Sequence, residues 1–173
     1  SPLLPNTRLQ AAALEETLNA ESAGDEYKVF ICMRYWHPMS RHVMQNVARW
    51  EPDEVVLLPL YPQFSTTTTE SSFHDWDREA KSQGFDVKTK RIEDYATHPD
   101  YIASHVELLE KSYAEAKAKG TPRILFSAHG VPQKIIDKGD PYEMQINQTA
   151  NAIMEQFSVK DADWKVCYQS KVG

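Results

Sequence analysis

The 173-residue sequence is short of several things, and each shortage excludes a class of protein. No apolar run approaches the roughly 18 to 20 residues that a membrane-crossing helix needs, and no signal-peptide pattern opens the chain, so a cytosolic compartment is expected. Basic residues are not in surplus. With 19 Lys and Arg against 25 Asp and Glu the net charge is -6, which argues against a nucleic-acid partner. Cysteine is almost missing: Cys32 and Cys167 sit singly in apolar stretches, without the CxxC spacing that a zinc or iron–sulfur centre favours, and are expected to be buried, reduced core thiols. Repeats, low-complexity tracts and long linkers are also lacking, which leaves one substantial core, or one domain plus part of another. The opening Ser1-Pro2-Leu3-Leu4-Pro5 reads like the middle of a protein, and Lys171-Val172-Gly173 follows directly on a strand-like run, so an excised segment is expected.

What is present is an alternation of helical and strand periods. Residues 7–20 are rich in Ala, Leu and Glu and predict a helix; Val29-Phe30-Ile31-Cys32-Met33 predicts a strand, and 39–50 a helix with Val43, Met44 and Val47 on one face. The continuous apolar run 55–60 predicts a strand covered on both faces. A helix is expected from Thr67, where Thr67-x-x-Glu70 forms a capping box, with Phe73, Trp76 and Ala80 as its apolar stripe and Gly84 at its end. A weaker strand over 85–92 precedes a helix begun by Pro99, carrying Ile102, Val106, Leu109, Tyr113 and Ala116 and closed by Gly120. Asp140-Pro141-Tyr142-Glu143 combines an N-cap, a first-position Pro and an acid for a further helix bearing Ile146, Ala150, Ile153 and Phe157; Trp164–Tyr168 predicts the last strand. The pattern is α/β, with doubly wound parallel sheets and helices on both faces.

Chemistry in such folds collects in the loops after strands, and four of these hold unusual residues. The apolar run Ile124-Leu125-Phe126 leads to Ser127-Ala128-His129, and Gly130-Val131-Pro132 then turns the chain, so the His129 imidazole is expected at a sheet's carboxyl edge, where it could bind a metal or take a proton. No second ligand lies at metal-site spacing nearby, so a metal there would be held openly, with other ligands from elsewhere. In Arg34-Tyr35-Trp36-His37-Pro38 the guanidinium could pair with a carboxylate and the aromatics could stack on a flat ligand, or the aromatics simply cover the sheet edge. Tyr61-Pro62-Gln63-Phe64-Ser65 runs into Thr66, Thr67, Thr68 and Thr69; five successive hydroxyls exceed what one helix start needs, which makes a polar pocket wall the competing reading to plain capping. His98, in Tyr95-Ala96-Thr97-His98-Pro99, is accounted for by capping, and His42, His74 and His105 by solvated helix surfaces.

Together these motifs resemble ferrochelatases, lyases of haem and porphyrin biosynthesis that insert ferrous iron into a porphyrin. The resemblance spans nearly the whole chain. It rests on Arg34-Tyr35-x-His37-Pro38, on Tyr61-Pro62-Gln63-Phe64-Ser65 with its Thr run, on Phe126–Pro132, on Gly139-Asp140-Pro141-Tyr142 and on Gln169-Ser170-Lys171-Val172-Gly173, in family order. It implies a chelatase-like fold of two similar domains around a porphyrin cleft, both incomplete here: residues 1–121 as most of the first domain and 122–173 as the start of the second. His129 matches the family's active-site histidine, a proton acceptor, metal ligand or both, and His98 one sometimes given a catalytic part. Arg34, Tyr61 and Ser65 match cleft-lining positions, to which Tyr35 and Thr67 are added as porphyrin-binding neighbours. The histidine's acidic partner would lie beyond this chain.

Porphyrin and ferrous iron are then the expected substrates, with no tightly bound cofactor. The family's first-domain cluster cysteine falls at Thr66, so no iron–sulfur cluster is expected. Apolar porphyrin and haem would suit a peripheral membrane contact, for which the sequence offers no basic amphipathic helix. Two rival readings accompany this one: a related chelatase that inserts cobalt or nickel into another tetrapyrrole, and, for the isolated segment, a non-catalytic porphyrin-binding module. The sequence does not fix the oligomeric state.

Overall fold

The computed structural model describes residues 2–170. They form a mixed α/β arrangement of α1 (Leu3–Glu21), α2 (Ser40–Trp50), β1 (Glu54–Leu57), a π-helical turn (Thr66–Glu70) running into α3 (Ser71–Gln83), β2 (Lys88–Arg91), α4 (Pro99–Lys117), β3 (Arg123–His129), α5 (Gln133–Ile136), α6 (Tyr142–Gln156) and β4 (Asp163–Gln169). The strands pair as β1 with β2 and β3 with β4. The chain divides into two compact units. The first runs through Leu57 and takes in Ser71–Lys90; the second holds Leu58–Glu70 and the chain from Arg91 onward.

In the first unit the core is the face of α2 that its spacing predicts. Val43, Met44 and Val47 are buried with Trp76 of α3, and Phe30, Val55, Leu57, Ala80 and Phe85 pack around them. The α3 helix ends as expected: Gly84 takes φ +65°, and the next N–H, from Phe85, returns to the Ala80 carbonyl at 2.9 Å. Its start differs. The Glu70 N–H bonds the Ser65 carbonyl at 3.2 Å in a π-helical turn, and the α-helix begins only at Ser71.

Two strand expectations in this unit are corrected. Residues 29–33 make only an isolated bridge, from Met33 to Met39. Side chains of α1 take the backbone donors here instead of a neighbouring strand: the Tyr27 N–H donates to Asn19 Oδ1 at 2.9 Å and the Val29 N–H to Glu15 Oε2 at 2.7 Å. The run 55–60 yields strand only to Leu57, because Pro59 and Pro62 remove ladder donors beyond it. Nor is it covered on both faces. Val55 and Leu57 face the core, whereas Val56 is 52% exposed.

The second unit is built on a parallel pair in which Arg123 faces Asp163 and the register runs through to His129 opposite Gln169. Along β3, Ile124 and Ala128 are buried while Leu125, Ser127 and His129 are exposed. This alternation leaves one face of the strand covered and the other open. Ile102 of α4, Ala150 and Ile153 of α6, and Phe157 are buried, and the Tyr113 ring meets Phe157 edge-on at 5.2 Å. Ala116, expected on the apolar face of α4, is exposed; the helix ends at Lys117, before Gly120.

The cysteines are free but not buried as expected. Cys32 lies exposed in the unpaired stretch with its Sγ 3.3 Å from Ser40 Oγ, and Cys167 is half-buried on β4 with its Sγ 3.7 Å from the Phe126 carbonyl. The expectation took burial from apolar neighbours in sequence, but Cys32 lies outside any strand and β4 around Cys167 is only partly covered.

Candidate functional site

The strand-end histidine stands where the sequence puts it. β3 ends at His129, the Gly130 N–H donates to the Gln169 carbonyl at 2.7 Å, and the chain turns through Pro132 into α5. His129 is exposed, and no described residue hydrogen-bonds its ring. Beside it lies a cavity of about 390 Å³ whose lining includes Gln63, Tyr101, His105, Ser127, His129 and Tyr142. His105 is the unexpected member. It is exposed on α4, as its surroundings predict, but its ring packs on Tyr101 at 4.4 Å and its Nδ1 lies 3.0 Å from the Tyr101 carbonyl.

The hydroxyl-rich turn is organised by a buried carboxylate. Asp140, 8% exposed, accepts three hydrogen bonds on Oδ2: from Ser65 Oγ at 3.0 Å, the Thr66 N–H at 2.8 Å and Thr66 Oγ1 at 2.8 Å. Its Oδ1 accepts the Tyr142 N–H at 3.0 Å, at the start of α6. Burial pushes this carboxyl up, but the bonds from Thr66, Tyr142 and Ser65 outweigh it and hold Asp140 below the usual carboxylate value. Ser65 itself is 1% exposed, with Thr67 Oγ1 at 2.8 Å and the Thr67 N–H donating to its oxygen at 3.2 Å. The hydroxyls of Ser65 and Thr66 therefore serve the protein's own carboxylate, while Thr69 Oγ1 is buried without a partner among the described residues.

Further along, α6 holds neighbouring segments of the same unit. Gln145 Oε1 accepts the Phe64 N–H at 2.6 Å, Gln63 Nε2 donates to Thr149 Oγ1 at 2.9 Å, and Thr149 Oγ1 donates to the Ala96 carbonyl at 2.7 Å. Tyr61, 39% exposed, precedes this anchored loop. His98 is the N-cap of α4, its carbonyl accepting the Ile102 N–H at 3.0 Å, as the capping argument has it. The His98 side chain stands 58% exposed, 3.9 Å from Asp100.

Arg34 and Tyr35 belong to the first unit. Arg34 Nε donates to the Ser71 carbonyl at 3.1 Å and to Ser71 Oγ at 2.9 Å, and Nη1 lies 3.8 Å from Asp75 Oδ1. The guanidinium also sits 4.8 Å from the centre of the Tyr35 ring, and the Tyr35 phenol meets Ser71 Oγ at 3.2 Å. Asp75 is buried on α3; it accepts Ser40 Oγ at 2.5 Å and pairs with Arg78. Tyr35, Trp36 and His37 are exposed, with the Trp36 and His37 rings edge-to-face at 5.7 Å.

Asp140 is legible in the sequence only as a helix cap and as part of the Gly139–Tyr142 motif, while Ser71 and Asp75 as the holders of Arg34, and His105 on the cavity wall, carry no local mark. The decisive pairings are distant in sequence: Arg34 meets Ser71 37 positions on, and Ser65 meets Asp140 75 positions on. Among the described residues no three His, Cys, Asp or Glu side chains form a metal-holding group, and no helix is long and apolar enough to cross a membrane. The last part of the fifth motif, Lys171, Val172 and Gly173, lies outside the described residues.

Comparison with known proteins now bears on the whole set. The family model described as ferrochelatase matches residues 1–173. The chain is 49% identical over 173 residues to the ferrochelatase of Wolbachia sp. subsp. Drosophila simulans (strain wRi), covering all of this chain and 55% of that protein. It is 47% identical over 173 residues to the ferrochelatase of Caulobacter vibrioides (strain NA1000 / CB15N), again covering all of this chain and 49% of that protein. The chain thus spans about half the length of these curated relatives. With every residue inside the family match, and with the Arg-Tyr, Tyr-Pro-Gln and Ser-Ala-His-Gly motifs on it in order, the chain belongs to the ferrochelatase family.

Proposed function

We propose that this chain is part of a ferrochelatase in which His129 takes pyrrole protons and meets the incoming ferrous ion, as ferrous iron displaces two N–H protons from a porphyrin to give haem. The observation that carries this reading is the state of His129: an exposed imidazole at a strand end, beside a cavity, with no described partner on its ring. A group that must accept a proton has to keep a lone pair free, and imidazole is the side chain best suited to exchanging protons near neutral pH. Metallation also needs the macrocycle bent so that its nitrogen lone pairs become accessible, a cost offset by binding the rest of the ligand.

Arg34 pairs with a porphyrin propionate, and Tyr35, Tyr61, Ser65 and Thr67 form walls of the cleft. Ser65 and Thr67 act as the rigid backing of that wall, since the Ser65 hydroxyl is already committed. His98, exposed at the start of α4, takes a secondary part in proton removal. The whole protein has two similar doubly wound domains, with residues 1–121 in the first and 122–173 opening the second, and it works in the cytoplasm. The isolated chain binds porphyrin without turning it over, because the acidic partner of His129 lies outside it.

In a full-length protein His129→Ala is expected to lower the rate of ferrous insertion by about 100- to 10,000-fold, the range that a positioned acid–base group supplies, with porphyrin affinity within about twofold. Unchanged turnover overturns the assignment. The 173-residue chain, mixed anaerobically with porphyrin and ferrous iron, should change absorbance no faster than a protein-free control.

A further inference from the structure

We propose that Asp140 is a positioning residue for the His129 site: its carboxylate locks the Ser65–Thr67 turn to the start of α6, the helix that with His129 lines one cavity. The proposal rests on the reading of His129 and the hydroxyl turn given above. A carboxylate that is 8% exposed must be compensated, and here compensation comes from donors on two separate segments. Three bonds on Oδ2 arrive from Ser65 and Thr66, more than 70 positions earlier in the chain. The fourth, on Oδ1, comes from the Tyr142 N–H of α6.

From Tyr142 the connection continues, because Tyr142, Ile146, Thr149, Ala150 and Ile153 of α6 line the same cavity as His129. Three residues further on, Gln145 takes the Phe64 N–H at 2.6 Å, so the turn is fastened to α6 on both sides of Ser65. One helix therefore sets where the hydroxyl turn stands and forms a wall of the cavity that His129 lines. None of these bonds touches the His129 ring. Bonds to an ionised acceptor are short and directional, which suits them to holding a geometry. A displacement of about 1 Å in such a site can cost about 100-fold in rate.

The alternative is that Asp140 only caps α6. Asn caps helices about as well as Asp, so Asp140→Asn separates the two roles: it can still accept the Tyr142 N–H, but it places an amide donor against the donors of Ser65 and Thr66. In the full-length protein Asp140→Asn is expected to melt below the parent but above Asp140→Ala, because Asn keeps the acceptor for the Tyr142 N–H. Turnover of porphyrin with ferrous iron should drop about tenfold or more in both variants, so Asn rescues stability and not rate. If Asn restores the rate as well, the proposal is overturned.

Thr66→Val leaves the cap intact and removes one donor; about a threefold loss of rate is expected, from a small fraction of the same misplacement, and no loss counts against the proposal. A readout independent of porphyrin distinguishes failure of this proposal from failure of the functional reading. The Thr66 amide proton resonance should move upfield in Asp140→Asn, and the Tyr142 resonance should stay within the cap range. A parent that neither binds nor metallates porphyrin sinks the functional reading. A Thr66 resonance that does not move sinks the Asp140 frame.

Discussion

In the first unit the guanidinium of Arg34 is gripped at its own atoms, by Ser71 through Nε and by Asp75 near Nη1. In the second no described residue bonds the imidazole of His129; the bonds run instead to the neighbouring Gly130 backbone and to the Ser65–Thr66 turn. A cation that recognises a carboxylate benefits from a fixed orientation, because a bidentate pair has a narrow geometry. A base that exchanges protons cannot have its lone pair occupied, so rigidity has to be supplied one layer back. The two modes of support predict different failures.

The largest contrast is expected from Arg34→Ala set beside His129→Ala in a full-length protein. Removing the guanidinium should weaken binding of a propionate-bearing porphyrin by about tenfold or more, in line with a lost charge-assisted hydrogen bond, and should leave a porphyrin lacking propionates unaffected. Removing the imidazole should act on rate and not on affinity. Titration of both porphyrins against both variants would overturn this distinction if the two changes moved the same parameter.

A smaller effect tests what grips Arg34. Asp75→Asn keeps an acceptor for the Ser40 hydroxyl, but it loses the charge that faces Arg34 and Arg78. The lost bonds to a buried charged acceptor should lower stability by about 2 kcal/mol in a denaturant titration, and porphyrin affinity should fall a few-fold as Arg34 loses its bearing. The pairing with exposed Arg78 adds little to that figure. Unchanged affinity with lowered stability would show that Arg34 is held by Ser71 alone.

Weaker again is a pH effect on the second unit. Asp140 is held below its ordinary value in the folded protein, so its contribution to stability is complete above the unfolded carboxylate value of about 3.9 and is lost as the pH falls through the lower, folded value. The parent should therefore lose stability in that acid window more steeply than Asp140→Asn, which has no such proton to take up. Melting temperatures measured across the window decide it; parallel curves would mean that the carboxylate is not held as its four hydrogen bonds indicate.

What the sequence made legible follows from range. The α2 stripe of Val43, Met44 and Val47, the Pro99 start, the Gly84 stop and the strand end at His129 are all set by residues within a few positions of each other, and all are found. The Val29–Met33 strand failed because apolar spacing shows a wish to extend and not the presence of a partner; α1 side chains took its donors instead. The depth of cover failed for a related reason. An apolar run reads the same whether one face is buried or two, and Val56 and Leu125 lie on the uncovered faces. Among the site residues, His129 was visible as a local signal. Its frame was not: Asp140 reads as a cap because the cap is local, while Ser65 and Thr66 approach it only through the fold.

The hydroxyl turn itself holds one engaged and one unengaged kind of side chain. Ser65 and Thr66 place their hydroxyls on Asp140, whereas Thr69, fully buried in the same turn, has an Oγ1 with no partner among the described residues. An unsatisfied buried hydroxyl costs free energy that an apolar group of the same shape does not, so Thr69→Val should stabilise the protein by about 0.5 to 1 kcal/mol. Thr66→Val should do the opposite, because it removes a donor from a buried carboxylate. Denaturant midpoints for the two variants, compared with the parent, sharpen the distinction between a hydroxyl that serves Asp140 and one that does not. A destabilising Thr69→Val would mean that this hydroxyl also has an acceptor, and that the whole Thr66–Glu70 turn is held by its side chains.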